Sequence, residues 1–497
     1  MPELKWKLAA VSVILAIQLM YVEGFNNSTD EVTEFECINS SASDFPEDLF
    51  TDEQRKHGAV ILHFLLAVYC FTLIALVCND YFLPSVDCIC TDLSLSQDVA
   101  GATFMAVATS TPELFINIIG TFITESDLGV GTVVGSAVFN TLGVAACLGL
   151  AACKLIGLEW WPLTRDCSIY IITIGVMTAV TYDGTIEWYE AAILLLMYFL
   201  YFVIMWANGF LMKLAKKLVT KIAGSKTALN DTVSEDSLSE VCSAVGPGIY
   251  RWYLHGDFGI NNKMAFDNTE KSLKSAPKKH KGCLSWPSEE GLLNKAWFIF
   301  SWPISFLLFI TIPDCRKDSF RKFYPFTFIM CIVWIGTSSY LNAWMMSVIG
   351  DTFGIPDSVM GLTLLAAGGS LPEAFSSIIM ARKGVGAMGI SNSVGANTLD
   401  ILLCLGLPWF IKCIVKIIQT GDMSSGVVYI VSSGITYNCV GLMLCVVLLY
   451  AVIAIFHFQL GKRLGFTCLI IYLIFITFAI LIEMNVFFQV NQPLCEV

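Results

Sequence analysis

Eleven apolar stretches fall at about 58–79, 97–123, 129–152, 167–183, 187–208, 295–313, 323–350, 357–380, 388–412, 426–456 and 465–486. A helix needs about 20 apolar residues to cross the hydrocarbon core of a bilayer, and many of these runs reach that length. In lipid every backbone N–H and C=O must be satisfied by the protein itself, so runs of this length are solved as helices. With 56% hydrophobic and 14% charged residues over 497 positions, the chain is too apolar for a soluble protein of its size. The expected fold is an all-α polytopic membrane protein.

Between 208 and 295 a polar stretch carries Lys213, Lys216, Lys217 and Lys221, an acidic Ser-rich section and Lys278-Lys279-His280-Lys281. It divides the chain into two halves, and its basic residues place it in the cytoplasm. Residues 1–24 read as a signal peptide, with Lys5 and Lys7 before an apolar run from Leu8 to Met20; an uncleaved anchor is the alternative. Sequons at Asn26, Asn27 and Asn39 suit an extracellular or lumenal segment over 25–57. The first transmembrane repeat is then 58–208, the cytoplasmic loop 209–294, the second repeat 295–486 and the C-terminal tail 487–497. Cys37 and Cys495 both fall outside, as a disulfide or as two thiols.

The segment 295–313 carries Pro303 and is followed by Arg316, Lys317, Arg321 and Lys322, which favour the cytoplasmic side. It is expected to be interfacial or re-entrant, leaving about ten transmembrane helices arranged as two inverted five-helix repeats. Lys412 and Lys416 run against this placement, since they fall near the outer end of a span and would have to snorkel. Asp80, Asp87 and Asp92, with Cys78, Cys88 and Cys90, read as solvated loop residues and reduced thiols rather than a metal site.

One pattern occurs in both halves, as Ala108-Thr109-Ser110-Thr111-Pro112-Glu113 and as Gly368-Gly369-Ser370-Leu371-Pro372-Glu373. The same spacing of 260 residues pairs Gly101 with Gly361, Thr103 with Thr363, Ala106 with Ala366, Gly135 with Gly395 and Asn140 with Asp400. Two helices and their connection have been duplicated. A carboxylate in mid-membrane costs roughly 2.5 to 3.5 kcal/mol on insertion scales, so carboxylates kept at equivalent places argue for function.

Each proline removes a backbone N–H and frees the carbonyl four residues earlier, at Ala108 and Gly368. Irregular backbone at membrane depth is tolerated where it is buried in protein or lines a cavity, and its carbonyls can coordinate an ion. Thr109, Ser110, Glu113 and Asn117 share a helical face, as do Ser136 and Asn140 one span later. Ser370, Glu373, Ser376 and Ser377 form the matching group, with Asp400 on the following helix. Carboxylate, hydroxyl, amide and carbonyl oxygens together suit hard cations such as Ca2+, Na+ or K+. His and Cys are absent from both motifs, which argues against Zn2+, Cu+ or Fe2+. Glu113, Glu373 and Asp400, if all ionised, would neutralise one Ca2+ and one monovalent ion.

The plainer readings concern the neutral residues. Ser and Thr at helix kinks often bond only to backbone, and the glycines taken singly suit helix packing. The 41 acidic against 29 basic residues lie largely in loops and tails, so no nucleic-acid partner is implied. No cofactor and no covalent chemistry are called for, so the chain is not expected to be an enzyme.

These residues resemble the cation/calcium exchanger superfamily. Gly101-Ala102-Thr103-Phe104-Met105-Ala106 with the first proline motif, and Val134-Gly135-Ser136-Ala137-Val138-Phe139-Asn140, are similar to the first repeat of potassium-dependent sodium/calcium exchangers. Thr311 to Lys317 and Leu405 to Phe410 resemble the same subfamily. The resemblance implies Glu113 and Glu373 as central Ca2+ and Na+ ligands. It adds Thr109, Ser110, Ser136, Asn140 and Ser370 to the cage, with the carbonyls of Ala106 and Ala366 near the Na+ sites. An Asp at the place of Asp400 accompanies potassium dependence in that family, where potassium-independent relatives carry Asn. The chain departs from the pattern at Glu373, where Asp is usual, at Gly369, where Thr is usual, at Ala396, where Ser is usual, and at Ala387, where an acidic residue is common.

The resemblance implies an antiporter that exchanges Na+ for Ca2+ together with K+ by alternating access, in a multi-pass protein of the plasma membrane or of an organelle. A potassium-independent or proton-driven exchanger is the near alternative. A transport-inactive sensor or scaffold derived from an exchanger is the distant one.

Overall fold

The computed structural model describes residues 40–93, 106–152, 155–158, 160–207, 292–316, 320–382, 386–487 and 489–491. All belong to one unit, Ser40–Asn491. The expected signal peptide, the central loop and both Cys37 and Cys495 lie outside the described residues.

Helices account for nearly all of the described structure. In the first half they are α1 (Val60–Val77), α2 (Leu83–Asp92), α3 (Thr111–Phe122), α4 (Leu128–Val138), α5 (Val144–Ala151), α6 (Trp160–Val180) and α7 (Trp188–Trp206). The second half has α8 (Leu292–Thr311), α9 (Tyr324–Phe353), α10 (Ala366–Arg382), α11 (Gly386–Leu399), α12 (Gly406–Thr420), α13 (Gly434–Ile455) and α14 (Lys462–Glu483). Eight stretches among the described residues are long and apolar enough to cross a membrane. Among the described residues of the motif-bearing stretches, Ala106–Thr109 and α3 are separate helices, whereas a short helix, Asp357–Met360, and a π-turn over Gly361–Leu365 lead directly into α10. Lys295–Thr311 within α8 is apolar but shorter than the eight.

Residues 78–92 are not a loop. A π-turn over Cys78–Phe82 continues α1 directly into α2, and Tyr81, Phe82, Val86 and Cys90 are buried. Their apolar side chains recur on one face, and the aspartates that suggested a solvated connection occupy the other.

Four short strands tie the connections together. The strand β1 (Ile156–Gly157) lies between α5 and α6 and pairs antiparallel with β4 (Gln459–Leu460), between α13 and α14. The strand β2 (Thr185–Glu187), between α6 and α7, pairs antiparallel with β3 (Val427–Tyr429), between α12 and α13. Each connection of one half thus meets the non-equivalent connection of the other. That exchange is what inverted halves require, since equivalent connections then lie at opposite ends.

The main core gathers residues of α4 to α7 and α11 to α14, including Tyr170, Leu142, Leu402 and Leu442. Separate clusters hold α1, α2, α8 and α9 together. Leu196, Phe199, Leu200 and Val203 on α7, and Ile299, Phe309 and Ile310 on α8, stand exposed, as side chains facing lipid do.

Beside β3, Glu483 is buried at the end of α14. Its Oε2 accepts Ser358 Oγ at 2.7 Å, Ser432 Oγ at 2.8 Å and Asn491 Nδ2 at 2.9 Å, and its Oε1 accepts Asn438 Nδ2 at 2.7 Å. Asp127 accepts the backbone N–H groups of Val431 and Ser432. Lys412 reaches this end too: its Nζ lies 3.0 Å from Glu125 Oε1 and donates to the Thr121 carbonyl. Lys416 donates to the Val427 carbonyl at 3.0 Å. Both lysines that ran against the expected topology therefore have partners at the helix end.

Candidate functional site

The two motif segments depart from regular helix in different ways. In the first half a short helix, Ala106–Thr109, stops at Ser110 (φ −88°, ψ 4°), and α3 begins with Pro112 in its first turn. Proline is tolerated there because the first helical N–H groups have no intrahelical acceptor. Thr111 Oγ1 bonds to the Val107 carbonyl at 2.8 Å, across the break. Glu113 falls in the first turn of α3, where the helix dipole favours negative charge.

In the second half the helix runs on through Pro372, and the irregularity lies upstream in a π-turn over Gly361–Leu365. The expectation of equal kinks at both prolines is corrected accordingly. An extra residue in a π-turn loosens the hydrogen-bond ladder before the chain reaches its proline. Further π-turns cover Phe139–Gly143 and Asp400–Leu405, so Asn140 and Asp400 both stand where their helices widen. Such bulges are frequent at functional sites.

Five of the ten expected ligands, Glu113, Glu373, Asp400, Ser110 and Asn140, lie within polar or electrostatic reach of one another. Glu113 is buried, and a Cβ on Gly369 would lie 3.5 Å from its Oε1, which sets the carboxylate of the first motif against the second motif. Glu113, Glu373 and Asp400 lie within electrostatic range of one another. Ser110 and Asn140 of the first half lie within polar reach of Asp400 and Glu373 of the second, so first-half side chains face both second-half carboxylates. Cys404, which the motif reading did not include, also stands beside Asp400, with Sγ 3.9 Å from Oδ1.

Other members sit at the edge of this arrangement. Ser136 is buried, but its hydroxyl bonds to the Val133 carbonyl at 3.1 Å, as the plainer reading of a helical Ser allows. Ser370 is buried, Ser377 is buried, and the Ser376 side chain is outside the described part. Thr109 ends the short helix and is half-buried. Ala366 opens α10 directly after the π-turn, while Ala106 opens the short helix of the first half. Asn117 turns its Oδ1 against α4, 2.5 Å from where a Cβ on Gly129 would sit.

Asn397, absent from the expected set, orients the centre. It is fully buried, and its Nδ2 donates to the Ala137 carbonyl at 3.1 Å and to Thr141 Oγ1 at 3.0 Å. Those acceptors fix the amide, so its Oδ1 must face Asn140, whose Nδ2 it accepts at 3.2 Å. Ser393 Oγ adds a bond to the Asn140 carbonyl at 2.7 Å. With its amide nitrogen bonded to Asn397, Asn140 is left with a buried Oδ1 that has no protein partner. Glu113 Oε2 and Ser370 Oγ are in the same condition. Asn140 Oδ1, Ser370 Oγ and Glu113 Oε2, buried without protein donors, are acceptors available to a cation or its water. Among the described residues no three His, Cys, Asp or Glu side chains are close enough to hold a metal by themselves. Neutral oxygens must therefore complete any coordination.

Ser339 and Asn342 on α9, outside the expected set, are buried with polar atoms lacking protein partners. Their signal was present as polar residues three apart in an apolar span. The glycines behave as packing residues. A Cβ on Gly135 would fall 2.2 Å from the Leu362 carbonyl oxygen, and one on Gly361 would fall 2.4 Å from the Leu128 oxygen. Backbone of the two halves thus touches beside the site. Gly101 lies outside the described residues.

Comparison with known proteins agrees with this architecture. The family model described as sodium/calcium exchanger protein matches residues 63–207 and 323–481. The chain is 35% identical to sodium/potassium/calcium exchanger 4 of Mus musculus, over 93% of this chain and 87% of the relative. It is 36% identical to sodium/potassium/calcium exchanger 5 of Homo sapiens, over 91% and 89%, and 34% identical to exchanger 3 of Homo sapiens, over 92% and 86%. The chain belongs to the sodium/calcium exchanger protein family.

Proposed function

We propose that this protein is a cation antiporter that uses inward movement of Na+ to expel Ca2+ together with K+, by alternating access of its two halves. The observation that carries the reading is that Glu113, Glu373 and Asp400 lie within electrostatic range of one another, with Glu113 Oε2 and Asn140 Oδ1 buried and partner-free, where a helix break or π-turns interrupt the helices of both halves. Relatives of 34–36% identity named sodium/potassium/calcium exchangers support the same ions. Thr109, Ser110, Ser136 and the carbonyls of Ala106 and Ala366 complete the proposed cage. Asp400 in place of a neutral amide supplies the negative charge that a co-transported K+ would need. Three ionised carboxylates balance one divalent and one monovalent cation, and returning sodium ions can replace that charge at the same oxygens. The plasma membrane is the proposed location. Each net charge carried would couple to voltage at roughly 2.3 kcal/mol per 100 mV.

The test is Na+-gradient-driven Ca2+ uptake into vesicles holding the purified protein or its Glu113→Gln variant. Gln keeps the size and removes the charge. Uptake by the parent and none by the variant supports the reading; equal uptake by a folded variant would remove Glu113 from the ion path, and no uptake by a folded parent would favour a sensor or scaffold.

A further inference from the structure

The chain ahead of α1, residues 40–57, is fastened to both α1 and α9. Ser41 Oγ donates to Ser347 Oγ of α9 at 3.2 Å, and the Phe45 ring lies 5.4 Å from that of Tyr340, also on α9. Asp48 Oδ1 is 3.0 Å from Nε2 of His63 on α1. Arg55 donates to Asp351 Oδ2 at 3.1 Å, near the end of α9. Phe45 is 6% exposed and belongs to the apolar cluster of Ala67 on α1, Ile116 and Ile119 on α3, Ala343 on α9 and Leu365. Ile116 stands three residues past Glu113, and Leu365 immediately precedes α10, which carries the second motif. The ring thus fills the seam where α1 and α9 meet the two motif-bearing segments. At the junction with α1, Gly58 has φ +118°, and a Cβ there would meet nothing within 4 Å. Glycine reaches that backbone region without steric cost, and open space around it leaves the turn free to change.

We propose that residues 40–57 form a strap, hinged at Gly58, whose Phe45 plugs the outer end of the ion path and lifts once in each transport cycle. The inference rests on the antiporter reading, since alternating access requires the site to open to each side in turn. The expected topology puts this end outside. The strap is held by one buried ring, one hydroxyl pair, the contact of Asp48 with His63 and the Arg55 bond to Asp351. These contacts can part without disturbing the hydrogen bonds of any membrane-spanning helix, and one residue of changed φ and ψ is enough for a hinge.

The first experiment cross-links the strap. Ser41→Cys and Ser347→Cys are introduced together in the full-length protein in vesicles, because hydroxyls in contact place two thiols within reach of a disulfide. After diamide oxidation the linked peptide is quantified by mass spectrometry, and Na+-gradient-driven Ca2+ uptake is measured before and after dithiothreitol. Uptake is expected to fall in proportion to the linked fraction and to return on reduction, with either single variant indifferent to diamide. Undiminished uptake by linked protein, or no link at all, would overturn the strap. The second experiment needs no transport: alkylation of Phe45→Cys by a membrane-impermeant maleimide is followed on its own peptide in Na+ and in Ca2+ media. A several-fold difference in rate is expected, and equal rates would overturn the proposal. Absence of uptake from the reduced protein and from the parent counts against the antiporter reading alone, and the alkylation rates then decide the strap.

Discussion

Asn140 donates its side-chain amide to Asn397 Oδ1 across 3.2 Å, joining the π-turn of the first half to the helix that precedes the matching π-turn of the second. The bond does more than hold the halves together, because it decides which way the Asn140 oxygen points. Asn397 therefore acts on the proposed ion site through Asn140.

Replacing Asn397 by Ala removes its donors from the Ala137 carbonyl and Thr141, and leaves an Asn140 N–H without its acceptor. Loss of buried hydrogen-bond partners costs about 1–3 kcal/mol per group left unmatched. The thermal midpoint in detergent is expected to fall by several degrees. Ca2+ uptake should fall by about tenfold or more, as when a group that orients a metal ligand is lost. Unchanged uptake would remove the orienting role.

Gly361→Ala sets a methyl 2.4 Å from the Leu128 oxygen and 2.9 Å from the Thr132 nitrogen. Neither atom belongs to a flexible side chain, so the backbones of the two halves must part. A cost of about 1–3 kcal/mol follows, as for other overpacked interiors. Gly157→Ala meets nothing within 4 Å and is the comparison. Thermal unfolding of both variants in detergent checks the difference.

Asp127 precedes α4 and carries a carboxyl pushed up to about 7 from 3.8, chiefly by burial. The Ser432 and Val431 N–H bonds oppose that shift, and Glu483 and Asp357 reinforce it. A raised carboxyl binds its proton more tightly in the folded state than in the unfolded one. Its stabilising effect is complete below about 3.8 and is lost as the pH rises through about 7. Thermal stability should therefore decline across that window, and Asp127→Asn should flatten the decline. A profile equally steep in the variant would assign it to other groups.

Much of the site was legible because duplication printed it twice: the carboxylates Glu113 and Glu373 share a spacing, and a buried charge in an apolar run is hard to explain otherwise. Asn397 was hidden because it stands at the spacing of Ala137, whose carbonyl it binds across the halves, so no motif pairs it with a polar residue. Glu483 closes an apolar span and looks like an ordinary helix end, yet four side chains converge on it from separate parts of the chain. The π-turns depend on one extra residue in the ladder rather than on side-chain period, and apolar periodicity does not register them. Residues 78–92 misled for the opposite reason, since their aspartates suggested a loop where one buried face makes a helix.

The most direct measurement is Na+-gradient-driven Ca2+ uptake by vesicles holding the protein or its Asp400→Asn variant, each with and without K+. Asp400 lies within electrostatic range of Glu113, and its charge is the one proposed to balance K+. Uptake that requires K+ in the parent and proceeds without it in the variant is the expected result. Uptake indifferent to K+ in both proteins would contradict potassium co-transport, and its absence from a folded parent would contradict antiport itself.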